Sequence, residues 1–430
     1  MSSELFSRFR AGISVQNATE ISKAYADITQ CLNRHYWNSD SETAHSRQVG
    51  SYGRQTAIHG ISDLDMAFVL PDEVYERFHA YDNNGQSALL QDVKRVVKNL
   101  YKRKEISGDG QIVAIPFRRF RVEVLPVFLD TNGDYVYADS NNGGSWRPTK
   151  PIREIAALAN LNKNKNRNLK RLCKMIRSWK NTHGVNMGGL LIDTLCYNFL
   201  NNTNNYDEGS YGLYKYMVRD FFAFLASQDS NQTQWRAPGS NQVVHKKGAF
   251  HSKAKEALRH CDEALKDDKN AHKKWSAVFG REFPKPEIVE TVAKSSITTT
   301  FRDTEKFIED QFSVDIRYSL SINCEIQNES SLLRDLFKIA NLGFQIPKQR
   351  RLRFFVEKHD IKGNYSLKWK ILNIGPIAET RDQIRGQIID DEGKEQKIET
   401  SSFQGEHFVE CYAIKGDVCV ARGSIKVPID

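Results

Sequence analysis

The chain has 430 residues, of which 40% are hydrophobic and 27% charged, too many for one ordinary core, so two or three folded domains are expected. Its 62 Lys and Arg against 53 Asp and Glu leave a formal charge of +9, which favours anionic partners, nucleoside triphosphates as much as nucleic acid. No run of about 18 apolar residues is present to span a bilayer, and the N-terminus MSSELFSRFRAG has neither an apolar core nor a small-residue cleavage site. The expectation is a cytoplasmic protein with no membrane partner. Seven scattered cysteines, never in CxxC spacing, argue against a disulfide framework or a zinc site and read as buried thiols.

Residues 1–45 carry a helical pattern in which Ile21, Ala24, Ala26 and Ile28 interleave with polar positions. A Gly-rich turn, VGSYGRQTAIHG, follows. Next, SDLDMAFVLP alternates Leu64, Met66, Phe68 and Leu70 with Asp63, Asp65, Ala67 and Val69, the period of a strand that Pro71 ends. A helix is expected over residues 87–101. QIVAIPF and RFRVEVLPVF, rich in β-branched and aromatic residues, read as two more strands of the same sheet.

Residues 151–277 read as mostly helical, through NLKRLCKMIRSWKN, LLIDTLCYNFL, YKYMVRDFFAFLA and HSKAKEALRHCDEALK. After FGREFPKPE and the polar TVAKSSITTT, the composition shifts to strands: FSVDIRYSLSINCEI, RLRFFVEK, YSLKWKIL, IRGQII, KIETSSF and HFVECYAI, separated by turns such as HDIKGNY and DDEGKEQ. The expected fold class is α+β with a C-terminal all-β sandwich. The expected domains are residues 1–150 (a sheet-based core), 151–290 (a helical subdomain) and 305–430 (a β-rich domain).

Residues two apart in a strand share a face, so Asp63 and Asp65 can hold a metal together while Leu64 and Met66 enter the core. Glu123, flanked by Val122 and Val124 on a later strand, supplies a third hard oxygen ligand, the set that two-metal phosphoryl chemistry needs. A DxD pair taken alone is as readily an exposed strand face. Here Gly50 and Ser51 stand eleven residues ahead of it: Gly50 allows close backbone approach to a phosphate, and the Ser51 hydroxyl with neighbouring amides can donate to it.

The combination of GSYGRQTAIHGISDLD with VEVLP resembles the polymerase-β-like nucleotidyltransferase superfamily. More closely it resembles the bacterial CD-NTases with a SMODS-type nucleotidyltransferase domain, relatives of cyclic GMP-AMP synthase and oligoadenylate synthetase. GGSWRPTKP, MIRSWKN and KKWSAVFGREFP extend the resemblance over roughly residues 1–290. It implies that Gly50 and Ser51 hold the donor triphosphate and that Asp63, Asp65 and Glu123 are catalytic and bind two Mg²⁺ ions, for which Mn²⁺ substitutes. Glu123 departs from the Asp that many members carry, keeping the ligand chemistry on a longer arm. A proton acceptor for the attacking ribose hydroxyl is a second role open to it.

The stretch Lys163, Lys165, Arg167, Lys170, Arg171, Lys174, Arg177 and Lys180 opens a helix whose other face, Leu172, Met175, Ile176 and Trp179, is apolar. Most of these charges read as a solvated face. Arg177, two positions before the Trp as in similar synthases, and Lys174, one turn earlier, are candidates to neutralise the triphosphate. Tyr211 is the resemblance's candidate for stacking on a base, with packing between helices as the alternative. Asp193, Tyr197 and the histidines show no ligand spacing and receive no role.

Over roughly residues 340–430, with 312–326 leading in, the chain resembles the adenylyl/guanylyl-cyclase and SMODS C-terminal sensor domain, which implies regulation by a bound ligand. An oligomerisation or structural module is the alternative. Arg350, Arg351, Arg353 and Trp369 are candidates to line a ligand site, though strand alternation explains them equally well.

The function implied is a regulated synthase of a cyclic or linear oligonucleotide second messenger, working in anti-phage (CBASS) defence. Its partners would be nucleoside triphosphates, ATP among them, an activating ligand, and a separate effector that binds the product. Transfer of one nucleotide to a protein, small molecule or RNA end is the alternative enzymatic reading, and an inactive nucleotide-responsive module the non-enzymatic one.

Overall fold

The computed structural model describes residues 2–15, 18–60, 63–207, 211–267, 270–286, 306, 308–327, 334–335, 346–373, 386–401 and 405–429. The chain divides into two compact units, Met1–Asn17 with Ala24–Pro286, and Ala18–Lys23 with Glu287–Asp430. The segments expected as a sheet core and a helical subdomain fall together in the first.

In chain order the first unit's elements begin with α1 (Ser2–Gly12), α2 (Ala18–Tyr36) from Ala24 onward, β1 (Ser46–Gln48), α3 (Gly50–Gly53), β2 (Asp63–Val69), α4 (Asp72–His79) and α5 (Gly85–Leu100). The strands β3 (Ser107–Asp109), β4 (Ile112–Pro116), β5 (Arg121–Leu129), β6 (Tyr135–Asp139) and β7 (Ser145–Thr149) follow. They join β1 and β2 in a seven-stranded sheet of order β1-β2-β5-β4-β3, with β6 on the far half of β5 and β7 beyond it. The pair β2–β5 is parallel, and the other pairs of this sheet are antiparallel. Alternation decides which side is buried: Leu64, Met66, Val122 and Val124 are fully buried, while Asp63, Asp65, Arg121 and Glu123 between them stay accessible. The helix α5 presents Leu89, Leu90, Val93 and Val97 to the interior.

The helical part comprises α6 (Pro151–Asn164), α7 (Asn168–Thr182), α8 (Gly189–Asn201), α9 (Tyr214–Ala226), α10 (His251–Lys266) and α11 (Ala271–Phe279), with a two-stranded ribbon, β8 (Gln234–Arg236) and β9 (Val243–His245). Phe6 and Phe9 of α1 pack edge-on or tilted against Trp275, Phe279 and Phe283 at centroid distances of 4.7–6.3 Å. The WSAVFGREF segment therefore closes the unit onto its own N-terminal helix, since such aromatic pairs add to the burial of their large surfaces.

The second unit contains α12 (Ile308–Gln311), β10 (Ser313–Val314), β11 (Leu320–Gln327), β12 (Arg334–Asp335), β13 (Arg351–His359), β14 (Ser366–Asn373), β15 (Ile388–Asp390), β16 (Gln396–Thr400), β17 (Gly405–Lys415) and β18 (Val418–Ile429). Two sheets form, of order β10-β18-β17-β14-β15 and β12-β11-β13-β16, antiparallel except for the short pair β10–β18. One apolar core takes residues from both: Leu320, Ile322 and Cys324, Leu352 and Phe354, Leu367 and Trp369, Val409 and Cys411, Ile425 and Val427. This is a β-sandwich, as expected. Of the expected strand segments, residues 384–385 and 402–403 lie outside the described residues, as does the polar stretch 291–300. All seven cysteines are free thiols, six buried and Cys31 half-buried. No helix among the described residues is long and apolar enough to cross a membrane.

Candidate active site

Parallel pairing sets Asp63 opposite Arg121 and Asp65 opposite Glu123, so four polar side chains rise from one face of two adjacent strands. Arg121 donates from Nε to Asp63 Oδ1 at 2.6 Å, and its Nη2 ion-pairs with Glu123 Oε1. The three acids chosen from sequence are thus brought together, and a guanidinium bridges two of them. The signal for Arg121 was present in the same period of two that linked Asp63 to Asp65.

The turn ahead of β2 closes on the same acids. The Val49 amide donates to the Asp65 carbonyl at 2.9 Å, and the chain then turns into α3, the expected Gly-rich turn being wound as one short helix. Gly50 has φ +59°, and a Cβ there would coincide with the Asp65 carboxylate. Glycine is required twice over, by the left-handed backbone and by the carboxylate pressed against its α-carbon. The Ser51 amide hydrogen-bonds to the Asp65 carboxylate.

Behind the turn lies a buried charge network. Arg54, next after α3, donates from Nε to Asp193 Oδ2 at 2.8 Å and reaches Glu154 Oε2 at 3.5 Å. Asp193, on α8 and 0% exposed, also takes Arg177 Nη1 at 2.9 Å and the Thr56 hydroxyl at 3.1 Å. Ser240 caps Glu154 Oε1 at 3.0 Å. Two guanidiniums and two carboxylates balance, which lets the cluster sit out of water. Burial alone would raise the pKa of Asp193, but Arg177 and Arg54 outweigh it and hold it below the usual carboxylate range. Asp193, given no role from sequence, is therefore the hub that ties α7 and α8 to the turn. Arg54 in turn lies close enough to Asp65 to stabilise its charge.

The basic face of α7 corrects the sequence reading. Lys165, Lys170, Arg171, Lys174 and Arg177 are all buried rather than solvated. Lys165 reaches Asp207 at 2.9 Å, Lys170 bonds Gln55 Oε1, and Arg171 donates to the Tyr214 hydroxyl at 2.8 Å. An amphipathic pattern shows which face is apolar but not whether partners cover the other. Arg177 spends its guanidinium on Asp193 and on the Gly189 carbonyl at 3.1 Å. Tyr211 is 2% exposed, between Tyr214, 4.9 Å away, and the Arg171 guanidinium, 5.4 Å from its ring.

Three carboxylates are hard oxygen donors suited to divalent cations, and the Asp65 carboxylate itself occupies the space that a Cβ at Gly50 would fill. The donor set fits magnesium or manganese. Among the described residues, however, no group of three acidic, His or Cys side chains is closed into a metal cage, and Arg121 lies between Asp63 and Glu123.

The electrostatics show what such a cation would relieve. Burial first, and the Asp63 charge, push the Asp65 carboxyl above its ordinary range against Arg54 and the Ser51 amide. Burial, Asp63 and Asp65 likewise raise Glu123 against Arg121. A raised carboxyl means the folded state prefers the proton, so stability contributed by protonated Asp65 is lost as pH rises from its unfolded value through its folded one. Asp65→Asn is therefore expected to melt higher than the parent at neutral pH in chelator. That advantage should vanish once the pH falls below about 4, where the parent carboxyl is also neutral. An Asn variant less stable than its parent at neutral pH would contradict this.

In the second unit, Trp369 is fully buried and donates from Nε1 to Asp391 at 2.8 Å. Arg353 is paired with Glu325 at 2.7 Å and Gln396 at 3.0 Å. Arg351 is exposed and Arg350 half-buried. Trp369 belongs to the sandwich core.

Residues 1–162 match the Second Messenger Oligonucleotide or Dinucleotide Synthetase domain, and residues 302–430 match the Adenylyl/Guanylyl and SMODS C-terminal sensor domain. A probable cyclic nucleotide synthase of Bacillus cereus (strain VD146) is 20% identical over 275 residues, covering 55% of this chain and 82% of the relative. The fold is similar to that of CdnC from E. coli MS115-1, solved with ATP, at 14% identity and a TM-score of 0.51, over 66% of this chain and 99% of that one. The same protein in complex with HORMA-deltaN gives 0.50 at the same identity and coverage.

Proposed function

We propose that the chain is a nucleotidyltransferase of the bacterial CD-NTase kind and that it joins nucleoside triphosphates, ATP among them, into a cyclic or linear oligonucleotide second messenger with release of pyrophosphate. The observation that carries this is the convergence of Asp63, Asp65 and Glu123 on one sheet face beside the Gly50 turn, in a chain whose two ends match a synthetase and its sensor domain.

In this reading Gly50 and Ser51 seat the donor triphosphate, and Asp63, Asp65 and Glu123 hold two Mg²⁺ ions, replaceable by Mn²⁺. Bound there, such cations lower the pKa of the attacking hydroxyl and offset the charge on the leaving pyrophosphate. The ribose oxygen of one nucleotide attacks the α-phosphorus of another, the bond to pyrophosphate breaks, and Glu123 takes the hydroxyl proton. Arg54, held by Asp193 and Glu154, positions Asp65. Arg177 is held on Asp193 and the Gly189 carbonyl, and Lys174, one turn earlier, is the candidate to neutralise the triphosphate.

The C-terminal sandwich regulates the synthase through a ligand, the product goes to a separate effector, and the setting is anti-phage (CBASS) defence in the cytoplasm. Incubation with all four nucleoside triphosphates and Mg²⁺ or Mn²⁺, with products resolved by mass spectrometry, tests the proposal. Oligonucleotides should form without added protein or RNA acceptor, and Glu123→Ala should abolish them. Transfer only to an added acceptor would favour the single-nucleotide alternative.

A further inference from the structure

The bridge formed by Arg121 sits where metal coordination should occur. Its guanidinium takes one oxygen each of Asp63 and Glu123, and together the three carboxylates and the arginine leave two net negative charges in place of three. Arg54, the other cation near the acids, is committed to Asp193 and Glu154. Arg121 is half in solvent, at 51% exposure of its side chain, so it can leave its partners without opening the core, and an exposed ion pair of this kind is worth little to stability.

We propose that Arg121 is a displaceable counter-ion of the metal centre. Resting on the proposed metal-binding role of the three acids, it occupies Asp63 and Glu123 in the nucleotide-free protein and weakens their hold on divalent cations. It gives way when a triphosphate supplies competing negative charge, for which a guanidinium is a strong forked donor. The consequence is coupling: the acids fill with metal chiefly when nucleotide arrives, so the resting enzyme does not stand charged. Arg121 is thus a positioning residue whose place is set by the parallel register opposite Asp63.

The test is Mn²⁺ binding to the full chain, followed by the electron paramagnetic resonance signal of free Mn²⁺, with and without a non-hydrolysable triphosphate. Without nucleotide, Arg121→Gln should bind Mn²⁺ about tenfold more tightly than the parent, the size expected for removing one nearby, partly screened positive charge. Arg121→Lys, which keeps the charge, should stay near the parent. Nucleotide should tighten Mn²⁺ binding more in the parent than in Arg121→Gln. Equal or weaker binding by a folded Arg121→Gln overturns the proposal. If the parent and an Asp63→Asn/Asp65→Asn variant bind Mn²⁺ alike, it is the metal-site reading itself that fails.

Discussion

Asp193→Ala is expected to destabilise the N-terminal unit by about 3–5 kcal/mol, the cost of leaving buried guanidiniums without their counter-charge. Asp193 is fully buried and bonds Arg54, Arg177 and Thr56 at 2.8–3.1 Å. Its loss strands Arg177 and leaves Arg54 with only the longer contact to Glu154 at 3.5 Å, where an exposed pair would cost under about 1 kcal/mol. Asp193→Asn keeps the volume but not the charge and should be nearly as harmful, which separates electrostatics from packing. Denaturant unfolding followed by tryptophan fluorescence provides the measurement, since Trp179 and Trp275 are buried in this unit. A loss below about 1 kcal/mol would show that water or other groups satisfy the arginines. Turnover should fall beyond what stability explains, because Arg54 is the cation that tempers the charge of Asp65.

The second large effect is expected at Gly50. In Gly50→Ala the new methyl would overlap the Asp65 carboxylate on a backbone of φ +59°, so either the turn or the carboxylate must move. The backbone term is roughly 1–2 kcal/mol. The catalytic term is larger: if Asp65 is the metal ligand proposed, its displacement by about an ångström costs on the order of 100-fold in turnover. Gly50→Ala should therefore keep most of its melting temperature yet lose about 100-fold or more in pyrophosphate release, with weaker Mn²⁺ binding. An Ala variant with parental turnover would remove the carboxylate contact from the account.

The site acids were legible in the sequence because strand alternation is a local signal: Asp63 and Asp65 share a face by period, and Glu123 between two buried valines shares theirs. Arg121 carried the same signal two residues before Glu123, but an Arg at the start of a strand is equally an ordinary exposed end. The buried network was not legible. Arg54 and Asp193 are 139 residues apart, and nothing in either neighbourhood marks them as partners. The basic residues of α7 misled for a related reason, since helical period separates apolar from polar faces but cannot show that Asp193, Gln55, Asp207 and Tyr214 arrive from other elements to cover the polar one. Most strands of the C-terminal sandwich were legible from composition, whereas β18 (Val418–Ile429), the longest of them, was not among the expected strand segments, and its parallel pairing with β10 exists only in the folded state.

The central claim is that Asp63, Asp65 and Glu123 make this chain an oligonucleotide synthase. Its most direct test is the mixture formed from all four nucleoside triphosphates with Mg²⁺ or Mn²⁺, digested with nuclease and resolved by mass spectrometry, beside Asp63→Ala/Asp65→Ala and Glu123→Ala. The account predicts a phosphatase-resistant cyclic or a linear oligonucleotide, with matching pyrophosphate, from the parent alone. No oligonucleotide from the parent under either metal, or an undiminished product from the variants, would contradict it.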